Sequence, residues 1–216
     1  MKFGNVNIGG MSFGSIKIGG AKYGNTLVYQ SGGGPTPPYD SQVEYLQFSQ
    51  SSLNTGIVVS GTGYKVEIQC QVIDNYSSTQ IIVGVGDGRG QWFGNIYADN
   101  TGRYGLGTSS GQYFSSFSSS TKKLFTISYG SRTSASDGSS TITVARLSEP
   151  DPIHIGRSGA TNYWAYMKVW YIKIYNGSTL VRDYIPVKKE GVGYFYDRVT
   201  KTLYGNEGTN DFVIGE

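Results

Sequence analysis

The residues that could perform acid–base chemistry are few in this sequence. A retaining glycosidase needs two carboxyl groups about 5 Å apart, which on a strand means acids two positions apart on one face. Of the 15 acidic residues, only Glu149 and Asp151 have this spacing, and they fall in the proline-rich segment "SEPDPIHIG", between predicted strands. His154 is the only histidine, and no nucleophile motif stands beside it. We therefore predict that the chain is not an enzyme.

Neither a reactive thiol nor a metal site is indicated by the other candidates. The single cysteine, Cys70, lies in "YKVEIQCQV", where apolar and polar residues alternate as in a half-buried strand. Calcium requires six to eight oxygen ligands with several carboxylates. Asp87 in "DGRG" and Asp99 with Asn100 in "ADNTG" are instead explained as turn residues. The sequence thus predicts a buried cysteine, no internal disulfide, no metal and no cofactor.

Aromatic residues in polar loops are the candidates for a binding site. Sugars bind proteins by stacking on aromatic rings, while amides and carboxylates bond their hydroxyl groups. Three candidates lie in predicted surface loops: Tyr113 in "SSGQYFSSFSSS", and Tyr163 with Trp164 in "GATNYWAY". Trp92 in "GQWFGN" is a fourth, although it starts a predicted strand and packing in the core is its alternative role. These four residues form the predicted glycan-binding set.

The composition indicates short strands joined by tight turns. The chain of 216 residues has 32 Gly and 18 Tyr, Ala and Leu are scarce, and no helical pattern occurs. The net charge of +3 is small and spread along the chain, which argues against nucleic-acid binding. No apolar run approaches the roughly 20 residues of a membrane-spanning helix. The first residues lack the apolar core of a signal peptide, so we expect synthesis in a cytoplasm.

The first thirty residues repeat one pattern three times at a period of ten. Each copy in "MKFGNVNIGG MSFGSIKIGG AKYGNTLVYQ" has an aromatic residue followed by glycine, at Phe3, Phe13 and Tyr23. Short strands of this kind have almost no core when alone. We therefore predict that residues 1–30 are an arm that docks on another surface through these aromatic residues. Residues 31–41, which contain "SGGGPTPP", are the predicted linker.

The remaining residues, 42–216, contain many short predicted strands between turn clusters such as "SASDGSS" and "YNGST". This pattern predicts a two-sheet sandwich or a barrel. Three apolar residues of the closing part are expected in the core: Leu180, Ile185 and Phe212.

The closing part also carries three local predictions. Arg182 and Asp183 are expected to find separate partners, because adjacent strand residues point to opposite faces. Pro186 cannot donate to a ladder, which predicts a sheet edge or a strand end there. Residues 194–199 and 202–204 are predicted to form a β-hairpin.

Two stretches carry a resemblance to a known family. "VEYLQFSQSSLNTGIVVSGTGYKVEIQ" resembles the opening of the laminin-G-like, concanavalin A-like jelly-roll domains, in which a T-G-I turn, here residues 55–57, precedes a K-x-E-I strand. "IYNGSTLVRDYIPVKKEGVGYFYDRVTKTLYGNEGTNDFVIG" is similar to the closing section of that family. The resemblance covers residues 42–216. It implies an all-β, two-sheet antiparallel jelly-roll sandwich, preceded here by the short β-repeat N-terminal arm.

The resemblance also implies a function, because such domains occur in phage structural proteins and in proteins of gut Bacteroidetes. It implies a virion structural or attachment protein, a fibre or a capsid or tail decoration, that docks by its arm and displays the jelly roll to host glycans. Its partners are then virion proteins or sister subunits of a homo-oligomer, and it is extracellular after release. The alternative is a bacterial carbohydrate-binding module or surface lectin. A hydrolase ranks third, since the concanavalin A-like superfamily includes glycoside hydrolases.

Overall fold

The structure of the protein, a computed structural model, describes most of the chain in thirteen ranges. These are residues 2–3, 6–13, 16–23, 26–30, 37–59, 63–73, 79–85, 96–99, 101–107, 112–116, 121–145, 151–157 and 163–216. Every regular element within them is a β-strand, which confirms the all-β prediction, and no helix there is long and apolar enough to cross a membrane. Backbone contacts divide the chain into two units, Met1–Pro38 and Tyr39–Glu216.

The first unit is a four-stranded antiparallel sheet. Its strands, which pair in chain order, are β1 (Lys2–Phe3), β2 (Val6–Phe13), β3 (Ile16–Tyr23) and β4 (Thr26–Gln30). Successive strands are joined by only two residues, a glycine followed by Asn or Ser. Gly-X pairs of this type are typical of two-residue hairpin connections. The period of ten is therefore one strand and one connection.

The second unit contains a six-stranded antiparallel sheet, here called the small sheet. Its strands are β7 (Leu53–Val59), β9 (Gln80–Val85), β10 (Ile96–Ala98), β11 (Arg103–Leu106), β12 (Gln112–Ser116) and β16 (Asp151–Ile155). Their order is β12-β11-β10-β9-β16-β7. The predicted T-G-I turn lies inside β7, so that prediction is wrong. Gly56 takes a φ of 66° there, which lets the strand continue through a local distortion.

The other sheet of this unit, the large sheet, has eleven strands. They are β5 (Ser41–Gln42), β6 (Tyr45–Ser49), β8 (Tyr64–Val72), β13 (Lys123–Tyr129), β14 (Thr133–Ser136), β15 (Thr141–Val144), β17 (Tyr166–Asn176), β18 (Thr179–Lys189), β19 (Val192–Asp197), β20 (Thr202–Tyr204) and β21 (Val213–Gly215). The main path is β15-β14-β13-β8-β17-β18-β19-β20. On the same side of β17 as β18, its first residues pair with β6, which also pairs with β21, and β5 pairs with β18.

Alternating apolar residues of the two sheets pack face to face, and this confirms the sandwich. In β8, for example, Val66, Ile68, Cys70 and Val72 are buried, and the residues between them are partly exposed. They belong to one cluster with apolar residues of the small sheet such as Ile96. Cys70 is a free thiol at 1% exposure, as predicted, and burial raises the pKa of its thiol.

The closing strands confirm some of the local predictions and correct others. Phe212 lies in the main core, and Ile185 lies in a smaller cluster that Tyr39 partly covers. Leu180 is only partly buried, so its assignment to the core is wrong; it pairs with Tyr175 beside the turn that joins β17 to β18. The hairpin of β19 and β20 is confirmed, although its first strand ends at Asp197.

Pro186 lies inside β18, so the prediction of a sheet edge or a strand end at this residue is wrong. Along β18, pairing with β17 ends at Tyr184, and pairing with β5 starts at Val187. Pro186 therefore falls in the gap between two partner strands. There its carbonyl accepts a hydrogen bond from the Val43 amide, and no donor is needed from its own nitrogen.

Candidate functional site

The outward face of the small sheet brings together aromatic residues of β10 and β12, on either side of β11. Ile96 and Ala98 point into the core, so Tyr97 between them points outward. Tyr97 pairs with Gly105 of β11, and Gly105 pairs in turn with Tyr113 of β12. The two tyrosines thus flank a position that has no side chain.

The tyrosines form an edge-to-face pair above this glycine. Their ring centroids are 6.1 Å apart at an interplanar angle of 80°. An ideal Cβ on Gly105 would lie 2.6 Å from Cζ and from Oη of Tyr97, so only glycine lets that ring lie against the backbone. Tyr97 is 6% exposed and Tyr113 is 37% exposed. Burial, together with a hydrogen bond to Tyr113, raises the pKa of Tyr97, which therefore stays protonated as a donor.

Arg103 completes this first group. Its guanidinium carbon lies 3.6 Å from the centroid of the Tyr113 ring, a cation–π contact. The carboxylate of Asp99 holds it there, accepting hydrogen bonds from Nε at 3.1 Å and from Nη2 at 2.9 Å. Arginine, tyrosine and the backbone of Gly105 thus form an ordered polar and aromatic surface.

The Asp99 carboxylate bonds residues that follow it in sequence, in agreement with a turn role for Asp99, whereas Asn100 and Asp87 lie outside the described residues. The carboxylate accepts hydrogen bonds from the Thr101 amide at 2.9 Å, the Thr101 hydroxyl at 2.8 Å and the Arg103 amide at 2.9 Å. Burial alone would raise the pKa of Asp99, but the hydrogen bonds from Arg103 and Thr101 outweigh it and lower the pKa. Among the described residues, no group of three or more His, Cys, Asp or Glu side chains could hold a metal ion.

A second group lies on and after β16. His154 stands between the core residues Ile153 and Ile155, so it points outward, and at 6% exposure it is buried. The guanidinium carbon of Arg157 lies 5.2 Å from the ring centroid of Trp164. The Tyr163 side chain is 37% exposed.

His154 and Arg157 carry polar atoms that the described part of the chain does not bond. These are Nδ1 of His154 and Nε of Arg157, both buried. Burial and the neighbouring charge of Arg157 lower the pKa of His154, against a smaller opposing effect of Glu207. The imidazole is therefore neutral near pH 7 and can bond a neutral hydroxyl group.

The order of strands in the small sheet sets the distance between the two groups. Four strand spacings separate β12 from β16, which corresponds to about 19 Å. Tyr163 and Trp164 precede β17, and the Tyr163 carbonyl accepts a hydrogen bond from the Ile81 amide of β9, so this pair lies beside the small sheet near the end of β16. Trp92 lies outside the described residues. Sequence reasoning missed Tyr97, Arg103, His154 and Arg157 as site residues; the apolar neighbours of Tyr97 and His154 were the signal that both point outward.

The acid pair and the arm residues have different positions. Glu149 lies outside the described residues, whereas Asp151 is the first residue of β16 and pairs with Val59, so its placement between strands is wrong. In the arm, Phe3 and Tyr23 both pair with Val6 at one end of the sheet, and Phe13 pairs with Ile16 at the other end. The docking role of the three aromatic residues stays a prediction.

Comparisons with known proteins give likeness of fold only. No family model matches the chain, and no curated protein matches it. A crystal structure of a candidate carbohydrate-binding protein from Bacteroides ovatus matches with a TM-score of 0.57 at 9% identity, over 81% of this chain and 60% of that chain. This chain therefore spans less than two thirds of that protein's length.

Sialidase structures from Trypanosoma rangeli also match. A mutant with trans-sialidase activity has a TM-score of 0.45 at 17% identity, over 54% of this chain and 21% of that chain. The sialidase with the inhibitor DANA has a TM-score of 0.45 at 14% identity, over 67% of this chain and 32% of that chain. Sialidases are enzymes, so these matches contradict the prediction of a non-enzymatic chain, and we withdraw it. TM-scores this low say nothing about which reaction a chain performs.

Proposed function

We propose that the second unit binds a glycan on the outward face of the small sheet. The observation that carries this proposal is the exposed ring of Tyr113, held by Arg103 on one side and by Tyr97 at its edge. A fixed aromatic ring beside charged hydrogen-bond donors is the arrangement that recognises a sugar, since the ring stacks on the pyranose and the donors bond its hydroxyls. The likeness to the Bacteroides ovatus protein supports this proposal at the level of the fold.

The two groups have complementary roles in this proposal. Tyr113 and Arg103 bind one sugar unit, and Trp164 with Arg157 binds another along the same sheet. A ligand with several sugar units is therefore expected to bind more tightly than a monosaccharide, because it contacts both groups at once.

The experiment is glycan-array binding followed by calorimetry with the best oligosaccharide. Tyr113→Ala and Trp164→Ala are each expected to weaken binding roughly tenfold or more, as the loss of an aromatic anchor does. Tyr171→Ala is the matched control, because Tyr171 is a partly buried tyrosine on the large sheet. Binding that survives both substitutions unchanged would contradict the proposal.

The arm favours a second candidate function, docking into an assembly. The supporting observation is that β1–β4 make a separate sheet with its own edge strands, which can pair with another chain. We propose that residues 1–30 attach the chain to sister subunits or to a virion, as the laminin-G-like resemblance implies. If mass spectrometry does not detect the chain in purified particles, and the full-length chain is a monomer in solution, this second proposal is contradicted.

A further inference from the structure

A shallow pocket, open to solvent, lies at one end of the large sheet, on the side of the sandwich away from the proposed glycan face. Its volume is about 480 Å³. The turn between β13 and β14 forms one wall through Gly130 and Arg132, and Lys65 of β8 lies at another. The lining residues include two cations and no carboxylate.

The floor of the pocket is a row of hydroxyl groups in cross-strand register. Lys65 pairs with Ser128, Ser128 pairs with Ser134, and Ser134 pairs with Thr143, across β8, β13, β14 and β15. All four point away from the core, because residues next to them in sequence, such as Val66, Ile127 and Ala135, are core residues. Three hydroxyls, each both donor and acceptor, thus lie on the adjacent strands β13, β14 and β15, next to the strand that carries Lys65.

The two cations of the pocket, Lys65 and Arg132, differ in their contacts with carboxylates and aromatic rings. Lys65 Nζ lies 2.7 Å from Oε1 of Glu67 and 4.2 Å from the ring centroid of Tyr175, so its position is fixed and part of its charge is compensated. Tyr175 donates its hydroxyl to the same carboxylate at 3.3 Å. Arg132 is exposed, and no described carboxylate pairs with it. The uncompensated charge of the pocket is therefore on Arg132.

We propose that this pocket binds a single acidic sugar unit of a glycan. Arg132 takes the carboxylate, since a guanidinium can bond both of its oxygens, and Lys65 adds a second positive charge. The hydroxyl row of Ser128, Ser134 and Thr143 bonds the sugar hydroxyls. An extended nucleic acid fits less well, because it requires several phosphate contacts along a basic groove. The pocket is a site separate from the proposed glycan face and does not depend on it.

The test is calorimetry of the full chain with trigalacturonate, a trimer of a carboxylated sugar, in low salt. Binding is expected for the unmodified chain, with roughly tenfold loss for Arg132→Ala and a smaller loss for Ser134→Ala. Lys188→Ala is the charge control, since Lys188 lies on β18 away from the pocket, and it should leave binding unchanged. Tyr113→Ala shows which surface is used: if it removes binding of trigalacturonate and Arg132→Ala does not, the trimer binds on the glycan face and the proposal for this pocket is wrong.

Three further results would overturn the proposal. The first is no binding of trigalacturonate to the unmodified chain, and the second is equal binding to the Arg132→Ala variant with an unchanged melting temperature. The third is equally tight binding of dextran sulfate or a single-stranded oligonucleotide, which would show attraction by charge alone.

Discussion

Asp197 is a fully buried carboxylate that organises the closing part of the chain. Its Oδ1 accepts hydrogen bonds from the amides of Asp183 at 2.9 Å and Val199 at 3.0 Å. Its Oδ2 accepts the hydroxyl of Thr200 at 2.6 Å and lies 3.6 Å from Nε of Arg182. Asp183 pairs instead with Arg198 at 2.7 Å, which confirms that Arg182 and Asp183 have separate partners. These acids serve the fold.

Asp197→Ala is therefore expected to destabilise the second unit by about 3 kcal/mol, because it leaves several buried donors without an acceptor. Urea unfolding measures the change in the free energy of unfolding. Asp211→Ala is the control, since Asp211 is exposed, and it should change that free energy by less than about 0.5 kcal/mol. A loss for Asp197→Ala as small as that of the control would show that the network is not needed.

Asp99 is expected to make stability depend on pH on the acid side. Its pKa is lowered in the folded state, so its contribution is present above the unfolded value of about 4. That contribution is lost as the pH falls through the lower folded value. The difference in free energy of unfolding between the unmodified chain and Asp99→Asn should therefore shrink between pH 6 and pH 2.5. A difference that is constant over this range would contradict the argument.

Strands with clear alternation were predictable, and the strands that carry the candidate site were not. The sequences of β8, β13 and β17–β20 alternate or are rich in β-branched and aromatic residues, which is the pattern that predicts strands. By contrast, β11, β12 and β16 are short and contain Gly, Ser or Pro, so pairing with their neighbours decides their structure. Pro152 precedes the ladder between β16 and β9, which starts at Ile153, so β16 lies in the middle of a sheet although its proline has no amide hydrogen to donate.

The same limit applies to the candidate site. Tyr113, Tyr163 and Trp164 stand out in the sequence because they are aromatic residues in polar segments, and their binding role stays a prediction. Their partners Arg103 and Arg157 could not be predicted, since only the pairing of strands distant in sequence brings cation and ring together. Gly105 was equally hidden, because its role depends on the ring that lies across it from β10.

Gly105→Ala tests how these strands shape the site. The added methyl group would meet the Tyr97 ring and the carbonyl oxygen of Gln112 at 3.1 Å. We expect a displaced ring, a loss of about 1–3 kcal/mol in stability and weaker glycan binding. Gly205→Ala is the control, because the nearest atom to its Cβ is 3.6 Å away. Unchanged glycan affinity and stability for Gly105→Ala would show that the Tyr97 ring does not shape this surface.

The second unit has the elements of an independent domain, a sandwich with its own core. Tyr39 lies 4.9 Å from Tyr196 between ring centroids, and Ser41 pairs with Lys188, so this unit already includes residues before 42. A fragment of residues 39–216 is expected to unfold cooperatively and to give the circular dichroism spectrum of a β-protein. Helical dichroism or a gradual transition would contradict this, and a fragment starting at 43 should be less stable.

An NMR titration of the 39–216 fragment, with the oligosaccharide selected on the array, tests the proposed glycan face most directly. We predict that the amide signals that shift most belong to Arg103, Gly105 and Tyr113, with a second set near Trp164. Signals of the large sheet, such as those of Tyr171, should stay in place. Shifts confined to the large sheet, or no shifts at a saturating ligand concentration, would contradict glycan binding on the outward face of the small sheet.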